Sequence, residues 1–125
     1  MKFSWSETGI VGLGGCIGSV ARYQVNEWLP SLFGTFAVNV IGCFAIGILM
    51  YESMYFGAFS RDLRLLLGAG TIGSFTTFSA FATEAFQAGP VIGVLYIIAN
   101  IFFGLTGVFL ARNIILSRRE AAWST

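Results

Sequence analysis

A chain of 125 residues that is 56% hydrophobic and only 10% charged cannot clothe a soluble domain, whose surface needs far more charge. A net charge of +1 with no basic block excludes a nucleic-acid-binding surface. With no His and two Cys, zinc, haem and His-based catalysis are excluded as well. What remains is one all-α domain over 1–125, embedded in a lipid bilayer and without enzymatic chemistry.

The charges mark where the chain leaves the bilayer. None falls between Glu27 and Glu52, between Arg64 and Glu84, or between Glu84 and Arg112. Each gap holds about one spanning helix of ~20 apolar residues. The stretch from Glu7 to Glu27, interrupted by Arg22, makes a fourth. Four helices are therefore expected near 5–28, 33–55, 62–86 and 89–116. Glu7 ahead of a Gly-rich run that leads into Arg22 argues against a cleaved signal peptide.

Helix one carries Gly14-Gly15-Cys16-Ile17-Gly18-Ser19. Gly14 and Gly18 form a small-xxx-small pair that lets another backbone approach. A dinucleotide loop is ruled out, since no strand precedes it. Pro30 and Gly34 mark the turn into helix two. Asn39 is the lone amide deep in that helix, where it needs a partner, either another helix or a solute. Cys16 and Cys43 read as small packing residues.

Helix three holds the most unusual stretch, Gly70 to Glu84. After Gly73 come five hydroxyls (Ser74, Thr76, Thr77, Ser79, Thr83), with Phe78 and Phe81 three residues apart. Loosened backbone at membrane depth survives only where protein or a water-filled site covers it. Gly89-Pro90 then makes a very short link. Helix four places Tyr96, Asn100 and Gly104 at i, i+4 spacing on one face, with Thr106 near it. No internal repeat is visible, so a second copy is expected to complete any pathway.

No carboxylate sits at the centre of helix one, which disfavours a small proton-coupled multidrug exporter. The available groups are Asn, Thr, Ser and Tyr donors beside two phenylalanines, whose rings have positive edges. Such groups make a weakly attractive path for a small anion, and an ion must leave as well as enter. The same phenylalanines also fit a lipid-facing or packed role. Gly73 and Thr76 offer two readings: carbonyls released to a hard cation, or a packed kink.

Three motifs in order, each on its own expected helix, carry a resemblance. They are Gly14-Gly15-x-x-Gly18-Ser19-x-x-Arg22-Tyr23, Gly34-Thr35-x-x-Val38-Asn39-x-x-Gly42, and Gly70-x-x-Gly73-x-x-Thr76-Thr77-Phe78-Ser79-x-Phe81-x-x-Glu84. The chain resembles the CrcB/Fluc fluoride channels over nearly its whole length. The resemblance implies an antiparallel, dual-topology dimer of four-helix subunits with helix three broken near its middle. It implies two pores and passive export of fluoride across the cell membrane.

By the same resemblance, Phe78 and Phe81 line the pore, and Asn39 is the helix-two amide. Thr77, Ser79, Thr83, Tyr96, Thr106 and Thr35 supply hydroxyls. The Gly73 and Thr76 carbonyls hold one structural Na+ at the dimer centre. Arg22 and Glu84 are recurrent charged positions. Asn100 departs from the pattern, which has a small hydroxyl there. A second departure is charge: Lys2, Arg61, Arg64, Arg118 and Arg119 fall on the side of both termini. That bias leaves open a homodimer, which the reading favours, or pairing with an oppositely biased partner.

Overall fold

The structure, a computed structural model, describes residues 4–29 and 32–123; Lys2 and Pro30 lie outside them. The described residues are helical, with no strand among them. In order they form α1 (Trp5–Trp28), α2 (Leu32–Tyr55), the short α3 (Arg61–Arg64), a π-helical segment (Leu65–Ile72), α4 (Gly73–Phe75), α5 (Phe78–Gln87) and α6 (Pro90–Trp123). Three stretches are long and apolar enough to cross a membrane: Leu32–Tyr55, Arg61–Gln87 and Pro90–Ala121. α1 matches α2 in length, at 24 residues each. Its glycines, serines and charges make it less apolar.

Local chemistry sets the ends. Ser4 caps α1 in a reciprocal box: its Oγ accepts the Glu7 N–H at 3.3 Å, and the Glu7 carboxylate accepts the Ser4 N–H at 3.1 Å. The other Glu7 oxygen pairs with Arg61 at 2.7 Å, which ties the start of α1 to the start of α3. Ser60 caps α3 through the Leu63 N–H. Gly89, at φ +83°, turns the chain between α5 and α6, and Pro90 opens α6 where its missing N–H costs nothing.

Two close pairings hold the bundle: α1 against the π-helical segment, and α2 against α6. In the first, a methyl group on Gly14 would run into the Leu66 carbonyl, and one on Gly18 into the Thr71 carbonyl. Glycine there permits backbone-to-backbone contact. Gly18→Val is therefore expected to lose the folded subunit or cost several kcal/mol, because rigid backbone must move. Thermal melting in detergent checks this, with Gly12→Ala, where nothing lies within 4 Å, as the silent control. In the second pairing Val38, Ala111 and Ile115 are fully buried.

Helix four runs to Trp123 rather than ending near 116. Its last turns are held by tertiary contacts: Arg118 lies 3.6 Å from the Glu52 carboxylate, and the Arg119 guanidinium sits 4.9 Å over the Tyr55 ring. Few side chains are buried. Large apolar residues such as Leu95, Ile101, Phe102 and Leu105 are more than half exposed, as a lipid-facing surface requires.

Candidate functional site: a clamped backbone turn beside an aromatic ladder

Between α4 and α5 the chain leaves helical geometry at two residues. Thr76 (ψ 160°) and Thr77 (φ −148°, ψ 122°) are extended. In a continuous helix the Thr77 N–H would meet the Gly73 carbonyl. Here it donates instead to Asn39 Oδ1 at 2.9 Å, and Asn39 Nδ2 donates to the Thr77 carbonyl at 3.1 Å. One side-chain amide from α2 thus replaces two lost helical bonds. In an apolar medium each unsatisfied backbone group would cost several kcal/mol, so this clamp is what makes the extended pair tolerable.

The neighbouring groups follow. Thr77 Oγ1 accepts the Ala80 N–H at 3.3 Å and so caps α5. It also lies 3.4 Å from Ser79 Oγ. Arg22 Nη1 donates to the Thr76 carbonyl at 3.3 Å. Gly42 packs on the Thr76 methyl, where any larger residue would collide.

A second cluster surrounds Glu84. Thr35 Oγ1 donates to one carboxylate oxygen at 2.8 Å, and the Tyr96 hydroxyl donates to the other at 3.0 Å. Thr35 is 1% exposed and Tyr96 8%. An ionised group at depth needs partners of this kind. Phe78, Phe81 and Tyr96 form a ladder, with ring centroids 5.8 and 5.5 Å apart. Phe78 is 80% exposed, so its ring projects from the subunit.

The structure therefore brings together most of the residues singled out from sequence. A cavity of about 520 Å³ is lined by Asn39, Gly73, Thr76, Thr77, Phe78, Phe81 and Asn100. A second, of about 690 Å³, lies on the other side of Phe78 and Phe81, against Gly93. Thr83 donates to the Ser79 carbonyl, and Thr106 to the Phe102 carbonyl; neither lines these cavities. Thr35 joins through Glu84. Cys43, read as packing, also lines the first cavity. Its signal was available: it lies one turn from Asn39 on the same face of α2.

The Gly73 carbonyl lacks the amide that a continuous helix would bring, and the Thr76 carbonyl keeps a lone pair beyond its bond to Arg22. Oxygen donors of this type suit a hard cation. No group of three His, Cys, Asp or Glu among the described residues could hold a metal, so such an ion would rely on carbonyls.

Residues 9–112 match the family described as CrcB-like protein, Camphor Resistance (CrcB). This chain is a member of the CrcB family. It is 68% identical over 121 residues to fluoride-specific ion channel FluC 1 of Methanospirillum hungatei, covering 97% of this chain and 86% of that one. FluC 2 of Methanosarcina mazei is 42% identical over 89% of this chain and 90% of its own. FluC of Oceanobacillus iheyensis is 43% identical, with coverages of 77% and 81%. The CrcB match spans the Asn39 clamp, the aromatic ladder and the Glu84 cluster together.

Proposed function

We propose that the chain is a subunit of a fluoride-selective channel that lets fluoride leave the cell passively. The observation that carries this reading is its 68% identity to a fluoride-specific channel along 97% of its length. The geometry supports it. Ring edges of Phe78 and Phe81 and nearby amide and hydroxyl donors face cavities that hold no fixed cation to trap an anion. Fluoride enters cells as neutral HF, dissociates near neutral pH, and needs a path out. No covalent step is involved.

The subunit crosses the membrane four times, the third crossing being interrupted at Thr76–Thr77. For α1, support comes from its exposed tryptophans: Trp5 and Trp28 are 93% and 75% exposed. They lie ~34 Å apart along the axis, near the ~30 Å hydrocarbon thickness, and tryptophan favours the two interfaces.

The working unit is an antiparallel homodimer in the cell membrane, the second copy closing the cavities beside Phe78 and Phe81. Gly73 and Thr76 from both copies would hold one Na+, which supplies positive charge that ties the subunits together. The surplus of arginine near the termini is moderated because Arg61 and Arg118 are paired with Glu7 and Glu52. Single-cysteine variants near each terminus, in protein expressed alone, are expected to label from both sides of the membrane. Fluoride efflux is expected from the same preparation. One-sided labelling without efflux would point to an oppositely oriented partner chain.

A further inference from the structure

Asn100 is the residue at which this chain departs from the resemblance, and its placement is unusual. Nδ2 donates to the Tyr96 carbonyl at 3.1 Å, while Oδ1 is buried with no hydrogen-bond partner. Buried acceptors are almost always paired, so an orphan at a site calls for a reason. The bond that Nδ2 makes is also redundant. As a residue of continuous helix, Tyr96 already offers its carbonyl to the Asn100 backbone N–H. The resting position thus spends a donor where it is not needed and leaves an acceptor unmet.

The side chain also lines the cavity shared by Asn39, Thr77 and Phe81. Free donors are scarce around it. The hydroxyls of Thr35 and Tyr96 are committed to Glu84, that of Thr83 to the Ser79 carbonyl, and that of Thr76 to the Ile72 carbonyl. An anion in this cavity would find few protons to accept.

We propose that Asn100 is a two-position amide: it rests on the Tyr96 carbonyl and turns into the cavity to donate its NH2 to the transported anion. The turn releases a redundant bond and moves Oδ1 out of its unpaired burial. It adds one charge-assisted hydrogen bond when the ion is present. This deepens the channel reading and rests on it: Asn100 sets how well the cavity replaces the ion's lost water.

The test is Asn100→Leu, a side chain of similar shape with no polar atom, read by fluoride efflux and by thermal melting of the same preparation. Losing one hydrogen bond to an ion should slow efflux roughly tenfold or more. Removing the unpaired acceptor should leave melting unchanged or raised. Asn100→Ser, which restores a donor, should recover part of the rate. Wild-type efflux in Asn100→Leu would overturn the proposal. So would a fall in stability that accompanies the loss of rate, since that marks a structural amide. Failure of the channel reading itself is distinct: the unsubstituted protein would then show no fluoride efflux at all.

Discussion

Phe81→Ile slows fluoride efflux by roughly one to two orders of magnitude while the protein stays folded and assembled. Isoleucine fills much of the same volume but has no ring, and so no positive edge to offer an anion. Phe81 is the middle rung of the ladder, 5.8 Å from Phe78 and 5.5 Å from Tyr96, so its loss also frees its neighbours to move. Each tenfold in rate corresponds to about 1.4 kcal/mol on the barrier. Phe78→Ile acts in the same direction. Its ring is mostly exposed, so its removal leaves the subunit's own packing nearly unchanged. Efflux measured beside a size-exclusion profile decides the matter, and wild-type rates in both variants would remove the phenylalanines from the ion path.

Asn39→Asp has the second large effect, through backbone as well as ion. The carboxylate can still accept the Thr77 N–H but cannot donate to the Thr77 carbonyl, which it now faces as a second acceptor. The clamp on the extended pair is half lost, and a negative charge stands beside the cavity. Efflux is expected to fall at least ~10-fold, with a stability loss of about 1–3 kcal/mol for a buried group left unpaired. Efflux and melting of the variant check both. An unchanged rate would confine Asn39 to packing.

These effects mark what could be read without coordinates. Charge gaps located the helices to within a few residues, because a bilayer admits only long uncharged runs. The far end of α6 was not legible: it depends on Arg118 meeting Glu52 and Arg119 meeting Tyr55, contacts made across the fold. The π-helical turn over Leu65–Ile72 was not legible either. Its register is set with α1 packed backbone to backbone at Gly14 and Gly18, and by Thr71 Oγ1 reaching five residues back to the Leu66 carbonyl.

At the site, the residue types were legible and the pairings were not. The hydroxyl run and Asn39 announced polar chemistry at depth. That Asn39 spends both its polar atoms on one backbone unit 38 residues away is a tertiary fact. So is the capture of Glu84 by Thr35 and Tyr96. Asn100 stood out only because a hydroxyl was expected there, and its unpaired oxygen became visible only in the packed helix.

The central claim, a passive path selective for fluoride, is tested most directly with the purified chain in liposomes loaded with potassium fluoride. Valinomycin is added to carry the counter-charge, and a fluoride electrode reads the release. The account predicts rapid fluoride release that needs no proton gradient, with negligible release of chloride from matched liposomes. Fluoride retained as in protein-free liposomes, or chloride released as fast as fluoride, would contradict it.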